Sequence, residues 1–559
     1  MDDYNLKNDV FTFLVGGKAG EGVKKAGSVA AHMFSRLGRH IFQLDDYMSL
    51  IRGGHNFAVV STAPRWISSQ YLNANLVINF DKRSYDTHVN DIAEDGILVY
   101  NSDEQEDIKG IGIPLTSEAE KYPMKELMLG VGAVAILAST IGLKKEEMNQ
   151  IIKSEYPSGI ENNIKFADRI LEIVKGECEN KFPLKRGDKE RKILTGNQTI
   201  SLGAIAGGLN IYYGYPMTPA SSILHFLASQ APEFGLAVVH PESELAVINL
   251  AIGSAFTGAR TMVGTSGGGY SLMAEGYSLA GMSEAPVLIV LSQRPGPATG
   301  VPTYTEQADL SFALNTGHGD FLRIVASPGT IEEAFFLAAE MLDLVWKFQT
   351  PGILLTEKHL SESSMTVEID ASKAKWAEPK LHTGGDYKRY LETENGISPL
   401  LFPISDEIIK WNSYEHDEQG ITTENAALVS KMHEKRNRKV KAFIDYMKDE
   451  LKTVNILHGE HPTNIFTYGS TYMSVMEACK YGELDPTIVQ PIYLKPFPTW
   501  ELEEFLNQDN IVVEQSVSGQ FTCLLKEKAG LKIKQTIKQY DGRPFDPIAL
   551  SRKLKEVLK

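Results

Sequence analysis

The sequence predicts an α/β protein made of three α/β domains. Short apolar runs that end in polar or turn residues are typical of parallel strands buried on both faces, and they occur at 76–81, 285–292, 352–357 and 510–516. Helical patterns such as residues 329–348 alternate with these runs, as they do in βαβ units. The chain has 559 residues, more than the ~250–300 at which a single core stops growing.

Charged stretches predict the domain boundaries. The first apolar block is expected to cover residues 1–180, and the polar, lysine-rich run at 175–192 is predicted to be a linker. A second block is expected at 190–370 and a third at 461–559. The charged residues between them, 371–460, are expected to form a linker or insertion with helical pieces such as "NRKVKAFIDYMKDELK".

Composition excludes several classes of protein. With 43% hydrophobic residues, 23% charged residues and a net charge of −15, the chain is predicted to be soluble and not to bind nucleic acid. The longest apolar stretch, 131–143, is too short for a bilayer, and the acidic N-terminus is unlike a secretory signal. The three cysteines, Cys178, Cys479 and Cys523, are far apart and suit neither a disulfide framework nor an iron–sulfur cluster held by this chain alone. A reducing cytoplasm is expected.

The first block contains two glycine turns. Residues 13–34 predict a strand, a glycine loop and a helix, where backbone amides could hold a phosphate and Lys24 and Lys25 would add positive charge. The spacing matches neither G-x-G-x-x-G nor a P-loop, so a tight βα turn is an equal alternative and a nicotinamide-dependent dehydrogenase is a poor one. In the second turn, "SLIRGGHNF", Arg52 and His55 are interpreted as structural, because a lone histidine more often is.

The second block contains the candidate chemistry. In "YPMTPASS" (215–222) the hydroxyl groups are natural caps for the following helix, unless residues elsewhere join them in a site. Glu244, on an otherwise apolar helix, could offset the helix dipole or exchange a proton with a ligand nitrogen. The glycines of "GTSGGGYS" (264–271) permit close approach of a flat ligand. Arg294 could anchor a carboxylate or phosphate.

Taken in order along the chain, these stretches resemble the 2-oxoacid:ferredoxin oxidoreductases. "YPMTPASS" is similar to the family motif Y-P-[IM]-T-P-x-S, and "RPGPATGVPTYTEQADL" is similar to R-x-x-P-x-T-G-x-P-T-x-x-E-Q-x-D-L. The stretches "GDYKRYLETENGISPLLFP" and "YEHDEQG" resemble the linker region of its 2-oxoglutarate-type α subunits. The "SGQ" (518–520) after "VVEQS" resembles the motif of its third domain. The resemblance implies a gamma-type domain fused ahead of a thiamine diphosphate pyrimidine-binding domain and a transketolase C-terminal-like domain.

The resemblance also implies a reaction and its partners. A 2-oxoacid and coenzyme A would yield acyl-CoA and carbon dioxide, and two electrons would pass to ferredoxin. Thiamine diphosphate would be shared with a β subunit that carries Mg²⁺ and a [4Fe–4S] cluster, in an α₂β₂ assembly. The sequence agrees, because a GDG…N magnesium motif is missing and "GHGDF" (317–321) is not one. We therefore expect the chain to be inactive alone, to hold no metal and to bind no membrane.

Residue roles follow from the same resemblance. Glu244 would exchange a proton with the aminopyrimidine ring, and the ring would lie against Tyr215, Pro216, Thr265, Gly267 and Gly268. Thr218 would contact the substrate carboxylate or keto oxygen, and Arg294 would contact a carboxylate or coenzyme A, so both are expected to be catalytic with Glu244. Lys24 and Lys25 would contribute to coenzyme A binding.

The resemblance leaves the substrate open. The α-subunit linker favours 2-oxoglutarate, and pyruvate or a branched-chain 2-oxoacid are alternatives. Tyr304 stands where related chains often carry a lysine or arginine, so a cation from elsewhere would have to meet a distal carboxylate. An alternative of another class is a non-catalytic assembly subunit that only docks the β chain. The adjacent Glu415, His416, Asp417 and Glu418 suit a solvated or interface loop better than a metal site.

Overall fold

The chain folds into three β-sheets with helices packed against them, which confirms the predicted α/β class. The computed structural model describes residues 9–49, 53–106 and 108–559. Residues before the linker form β1 (Phe11–Ala19), α1 (Val23–Arg36), β2 (His40–Asp46), β3 (Gly53–Ala63), β4 (Ala74–Asn79), α2 (Lys82–His88), β5 (Ile92–Asn101), β6 (Ile111–Ile113), α3 (Leu115–Ala119), α4 (Lys125–Thr140), α5 (Lys145–Glu155) and α6 (Ile160–Ile173).

The rest of the chain supplies the other elements. The middle segment forms β7 (Lys192–Thr195), α7 (Gly196–Ala206), β8 (Ile211–Gly214), α8 (Ser221–Phe234), β9 (Ala237–Val239), α9 (Glu244–Phe256), β10 (Thr261–Thr265), α10 (Gly267–Ser283), β11 (Leu288–Gln293), α11 (Leu310–Asn315), β12 (Ile324–Ala326), α12 (Ile331–Phe348), β13 (Gly352–Glu357), α13 (Lys358–Glu362) and β14 (Ser364–Val367). The last segment forms α14 (Ala426–Glu450), β15 (Val454–Leu457), β16 (His461–Phe466), α15 (Thr471–Gly482), β17 (Pro486–Pro491), β18 (Tyr493–Lys495), β19 (Asp509–Glu514), α16 (Gln520–Leu524), β20 (Ile533–Lys538) and α17 (Pro547–Val557). None of these helices combines the length and apolar character that crossing a membrane requires.

The second sheet has the order β18-β12-β13-β11-β10-β8-β9, and its strands are parallel apart from β18. Every residue of β10, β11 and β13 is buried, because helices cover both faces of the sheet. Continuous apolar runs in the sequence therefore correspond to central strands here. The carboxyl ends of these strands lie along one edge of the sheet.

The first sheet, β6-β5-β4-β1-β3-β2-β14-β7, is mixed rather than parallel. Strand β3 pairs antiparallel with both β1 and β2, whereas β1, β4, β5 and β6 are parallel. The run at 76–81, predicted to be a parallel strand, forms β4 and is parallel to both of its neighbours, whereas the antiparallel strands of this sheet were not predicted. Two strands of the middle segment complete this sheet, with Met365 of β14 opposite Phe42 of β2.

The third sheet, β15-β17-β16-β19-β20, docks on the second through buried polar groups. The side chain of Gln307 donates to Tyr468 O at 2.9 Å and accepts from Gln515 N at 3.0 Å and Thr471 Oγ1 at 3.1 Å. Strand β18 also leaves the third segment and pairs antiparallel with β12. Each polar atom of Gln307 is hydrogen-bonded, so burial at this junction leaves none of them unsatisfied.

The first segment contacts the last segment through Glu477 of α15, whose side chain is fully buried. Its carboxylate accepts hydrogen bonds from Arg65 Nη1 at 2.9 Å, Ser68 N at 3.1 Å and Tyr71 Oη at 2.8 Å. A buried carboxylate requires such a set of donors to offset its lost hydration. The three segments are thus joined by charged or polar contacts as well as by apolar packing.

A buried cluster of charged side chains holds helix α14 against the middle segment. Glu284, 1% exposed, accepts hydrogen bonds from Lys435 Nζ at 2.9 Å and pairs with Lys439 Nζ. The guanidinium of Arg389 donates to Glu284 O at 2.9 Å. Burial alone would raise the pKa of Glu284, but the two ammonium groups lower it, and burial lowers the pKa of Lys439 to about 7. Glu284 thus neutralises the buried charges that Lys435 and Lys439 of α14 bring against the middle segment.

A second buried carboxyl, Glu357, makes the stability of the protein depend on pH. Its Oε1 accepts the Ser470 amide at 2.6 Å, its Oε2 has no partner among the described residues, and burial raises its pKa from 4.5 to about 7. The folded chain therefore keeps a proton that the unfolded chain releases, so stability falls as pH rises across this interval, by on the order of 3 kcal/mol. Replacement of Glu357 by glutamine should remove this contribution to the pH dependence.

Urea unfolding midpoints measured at several pH values between 5 and 8, about one unit apart, would check the prediction. Glu357→Gln should equal or exceed the wild type at the highest pH. The exposed Glu460→Gln should retain the wild-type slope and serves as the control. A Glu357→Gln variant that keeps the wild-type pH dependence would contradict the assignment.

Candidate active site

The candidate site lies along the carboxyl edge of the second sheet. The turn 215–222 follows β8, Thr265 ends β10 and Arg294 follows β11, and these three strands are neighbours in the sheet. Because parallel strands place their carboxyl ends on one edge, residues far apart in the sequence meet there. This topology brings together most of the side chains that the sequence predicted to act.

The turn 215–222 is held by side chains from two other elements. Asn197 Nδ2 donates to Pro219 O at 2.8 Å and to Ser222 Oγ at 2.7 Å. Arg294 Nη1 donates to Thr218 O at 2.8 Å. The expectation that hydroxyl groups cap the next helix is wrong, because α8 begins after Ala220 without a side-chain cap. The Thr218 side chain is half-buried beside the arginine.

Glu244 begins α9 and is 3% exposed. The Ser243 hydroxyl caps the helix by accepting the Ala246 amide, so the Glu244 carboxylate is not needed as a cap. Its Oε1 is buried and has no hydrogen-bond partner among the described residues. An unpartnered buried carboxylate oxygen is costly, and such a group at a strand edge indicates a binding site for a donor.

The glycines at the start of α10 provide the space beside Glu244. A Cβ on Gly269 would collide with Glu244 Oε1 and Thr265 Oγ1, so the carboxylate lies directly against the helix backbone. By contrast, a Cβ on Gly268 would have no atom closer than Ala298 O and Met217 Sδ, both 3.9 Å away. Gly268 is exposed and open, as the approach of a flat ligand requires.

Two further acidic side chains border the site and were not assigned from the sequence. Asp309 lies against Gly267, where a Cβ would collide with its carboxyl group. Burial raises the pKa of Asp309 to about 6, although Arg294 lowers it, and burial together with Asp309 raises the pKa of Glu306 to about 7. Both follow Tyr304 in the quoted "TYTEQADL" stretch, and raised carboxyl pKa values typify active sites.

The glycine loop of the first segment does not present a free phosphate cradle. Gly20 and Gly22 have φ values of 103° and 79°, so the turn needs glycine for its conformation. The Lys18 amide already donates to Glu21 Oε2 at 2.7 Å. A carboxylate of the chain therefore occupies part of the position that an anion would take.

Lys24 and Lys25 point in different directions. Lys24 Nζ lies 3.9 Å from Asp45 Oδ2, whereas Lys25 Nζ bonds Glu155 Oε2 at 3.0 Å. Successive helical residues are about 100° apart around the axis, which separates the two ammonium groups. His55 is buried and hydrogen-bonded to His88, with 2.9 Å between their Nε2 atoms. Arg52 lies outside the described residues.

Tyr304 lies at a meeting point of all three segments. The guanidinium of Arg543, from the last segment, stacks on its ring with 4.0 Å between the charged carbon and the ring centroid. Asp46 of β2 lies 3.8 Å from Arg543. A cation thus lies at the position where the sequence showed only a tyrosine. No spacing rule connects residues so far apart in the chain, so sequence reasoning missed Arg543.

The acidic cluster near residue 416 is occupied by structural contacts. Glu415 bonds Arg436, Glu418 bonds Lys388 at 3.1 Å, and His416 Nδ1 lies 2.7 Å from Tyr414 O. These side chains point apart, so they do not converge on one position. Within residues 9–49, 53–106 and 108–559, no cluster of three histidine, cysteine or acidic side chains could hold a metal ion.

Comparison with known proteins gives the family. The family model described as "Pyruvate flavodoxin/ferredoxin oxidoreductase, thiamine diP-bdg" matches residues 202–435. The family model described as "Pyruvate ferredoxin/flavodoxin oxidoreductase" matches residues 12–173. The α subunit of a 2-oxoacid:ferredoxin oxidoreductase from a Sulfolobus species is 29% identical over 98% of this chain and 97% of its own length. The chain belongs to the 2-oxoacid:ferredoxin oxidoreductase family.

Other members differ in their substrates. The 2-oxoglutarate synthase subunit KorA of Archaeoglobus fulgidus is 38% identical over 31% of this chain and 51% of its own length. The ketoisovalerate oxidoreductase subunit VorB of Methanothermobacter marburgensis is 27% identical over 66% of this chain and 97% of its own length. A solved 2-oxoglutarate:ferredoxin oxidoreductase from Magnetococcus marinus, with 2-oxoglutarate, coenzyme A and succinyl-CoA bound, covers 99% of this chain and all of its own at 27% identity and a TM-score of 0.90.

In this oxidoreductase chain, the segment matched as thiamine diphosphate-binding contains the candidate site. Thr218, Glu244, Gly268 and Arg294 all fall within residues 202–435. The chain therefore carries a thiamine diphosphate-binding domain of an oxidoreductase α subunit.

Proposed function

We propose that this chain is the α subunit of a 2-oxoglutarate:ferredoxin oxidoreductase. The reaction converts 2-oxoglutarate and coenzyme A to succinyl-CoA and carbon dioxide, and passes two electrons to ferredoxin through a β subunit. The observation that carries the proposal is the buried, unpartnered Glu244 carboxylate oxygen beside the open backbone of Gly268. An oxoacid oxidoreductase needs such an acceptor for a cofactor ring nitrogen.

The residues fit the aminopyrimidine of thiamine diphosphate. Glu244 Oε1 lacks a donor among the described residues, which a protonated ring nitrogen supplies, and the ring fits against Gly268, which faces open space. The Asp309 carboxyl group borders the ring position at Gly267. Tyr215 and Pro216 are exposed at the same strand edge, and the Thr265 hydroxyl, like Glu244, borders Gly269. When bound, thiamine diphosphate supplies the nucleophilic carbon and the electron sink that decarboxylation requires.

Arg294 and Thr218 position the oxoacid. One guanidinium nitrogen of Arg294 is committed to Thr218 O, which orients the remaining N–H groups towards an arriving carboxylate. The Thr218 hydroxyl is partly accessible on the same turn and can donate to the keto or carboxylate oxygen. Asn197 fixes this turn from behind, so both donors are held in place before the substrate binds.

Exposed apolar side chains around the site support docking of a β subunit. Leu245, Leu250, Leu272 and Val301 are each more than two-fifths exposed, and Tyr215 is 38% exposed. Apolar groups gathered at one edge of a domain mark an interaction surface. The β subunit would supply Mg²⁺ for the diphosphate and a [4Fe–4S] cluster for the electrons, and an α₂β₂ complex follows from the same family likeness.

The 2-oxoglutarate assignment is supported by the Magnetococcus enzyme and by KorA. Arg543 over Tyr304 supplies a cation that a second carboxylate could meet. Pyruvate and branched-chain 2-oxoacids are the alternatives, and VorB supports the latter. Lys24 is exposed and could still meet coenzyme A, whereas Lys25 would first have to leave Glu155.

An anaerobic assay of the αβ complex tests this function. The chain is co-purified with its β subunit and supplied with coenzyme A, methyl viologen and a panel of 2-oxoacids. We expect kcat/KM for 2-oxoglutarate to exceed that for pyruvate and 2-oxoisovalerate by about tenfold or more, because an unpaired cation would disfavour apolar substrates. A preference for pyruvate or 2-oxoisovalerate would overturn the substrate. No reduction by a complex that retains thiamine diphosphate and its cluster would favour the assembly-subunit alternative.

A further inference from the structure

A cavity of about 390 Å³ lies between the first segment, the loop that carries Tyr304 and the last segment. Its polar lining includes Arg83, His88 and Asp91 of the first segment and Arg543 of the last. Leu44, Phe57 and Leu72 form apolar parts of its wall. The lining also includes the carboxyl group of Asp46, so the cavity combines two guanidinium groups and two carboxyl groups with a partly apolar surface. It lies outside the strand edge where Glu244 is found.

The backbone of Arg543 is fixed in position, whereas its guanidinium makes no hydrogen bond to a carboxylate of the described residues. Its backbone amide donates to Asp541 Oδ1 at 3.0 Å, and its carbonyl oxygen accepts from Gln515 Nε2 at 3.0 Å. The ring of Tyr304 stacks against the guanidinium. Among the described residues, the carboxylate within ion-pair range is Asp46, and at 3.8 Å it is beyond hydrogen-bond length.

The guanidinium of Arg83 is also only weakly contacted by the described residues. Its Nη2 contacts Met48 Sδ at 3.8 Å, a weak interaction, and no carboxylate of residues 9–49, 53–106 or 108–559 lies within ion-pair range of it. Asp91, which also lines the cavity, is bound to His88 Nδ1 at 2.8 Å. One of the two acidic side chains of the lining, Asp91, is therefore already bonded to a histidine.

We propose that Arg83 and Arg543 form an anion-binding site that takes a carboxylate or phosphate group in this cavity. Arginine presents several N–H donors in a planar fork that matches both groups, and a partly enclosed cavity strengthens the attraction. Arg543 exchanges its long contact with Asp46 for hydrogen bonds to the ligand. The identity of the anion rests on the proposed function: it is the distal carboxylate of a dicarboxylic 2-oxoacid or a phosphate of coenzyme A.

A neighbouring cavity of about 190 Å³ extends this surface. It is lined by Lys24 and Tyr47, and it shares Asp46, Met48 and Phe57 with the larger cavity. A ligand with more than one negative charge could therefore contact Lys24 as well as the arginines. This continuity supports a ligand longer than a single inorganic ion.

Calorimetry on the purified chain tests the site without requiring catalysis. Inorganic pyrophosphate and glutarate serve as the phosphate and carboxylate probes. We expect at least one probe to bind saturably, and Arg543→Gln and Arg83→Gln each to weaken it by about tenfold, because a charged hydrogen bond is lost. Arg543→Lys should recover part of the affinity. Arg552→Gln, an exposed arginine of α17, should bind as the wild type does.

The outcomes are separable from those of the proposed function. No saturable binding of either probe, or equal affinity in both glutamine variants and the wild type, would overturn the site. If Arg543→Gln is misfolded by circular dichroism, the exposed Arg83→Gln still decides the question. In the αβ complex, a raised KM for 2-oxoglutarate alone identifies the carboxylate, and a raised KM for coenzyme A alone identifies the phosphate. A complex inactive with every 2-oxoacid refutes the proposed function, while calorimetry still judges the site.

Discussion

Replacing Glu244 with alanine is expected to lower oxoacid-dependent reduction of methyl viologen by two to four orders of magnitude, about what loss of an acid–base group costs. The carboxylate is the buried, unpartnered acceptor of this edge, and its Oε1 is among the atoms nearest to the Gly269 backbone in the described residues. The chain should remain folded, because Ser243 still caps α9. Loss of an unpartnered buried oxygen also removes a desolvation cost.

Two readouts separate the catalytic role from a structural one. Thiamine diphosphate retained by the αβ complex should fall in Glu244→Ala, and Glu244→Gln should retain more cofactor while staying inactive, because an amide can bond a ring nitrogen but cannot exchange its proton. The exposed Glu242→Ala, two residues earlier, should keep full activity. An active Glu244→Ala complex would exclude this residue from catalysis.

Replacing Glu284 with glutamine is expected to destabilise the chain by about 3–5 kcal/mol, as when one partner of a buried ion cluster is removed. Lys435 is fully buried and Lys439 nearly so, and both would face Arg389 without a neutralising carboxylate. Glu284 also has a φ of 55°, an unfavourable conformation for a residue with a side chain. The urea midpoint should therefore fall substantially.

The matched variant Glu275→Gln, exposed on the same helix α10, should leave the midpoint unchanged. The double replacement Glu284→Gln with Lys439→Met should recover part of the loss, because one buried charge is removed with its partner. A free energy of unfolding within about 1 kcal/mol of the wild-type value would contradict the role given to Glu284 in this cluster.

The sequence predicted local elements more completely than their pairing. The runs at 76–81, 285–292, 352–357 and 510–516 correspond to β4, β11, β13 and β19. Their burial pattern is local information. By contrast, the antiparallel β1, β2 and β3 and the addition of β7 and β14 to the first sheet depend on contacts between distant segments, which no window of the sequence contains.

The candidate site was predictable to the same extent. Thr218, Glu244, Gly268 and Arg294 follow strands or begin helices on one sheet, so its topology alone collects them. Glu306 and Asp309 were visible in the quoted stretch, but their burial was not. Arg543 reaches Tyr304 across a junction between segments, and Lys24 and Lys25 diverge although they are adjacent. Proximity in the sequence was a poor guide in both cases.

The first sheet contains strands of both the first and the middle segment, and this sharing joins the two segments non-covalently. Because β14 and β7 lie at its edge, the peptide linker at 175–191 is not what holds the first and middle segments together. A protein nicked in that linker would migrate as two fragments under denaturing conditions and as one particle otherwise. Synthesis without the first segment would leave β14 as an uncovered strand, ready to recruit another molecule.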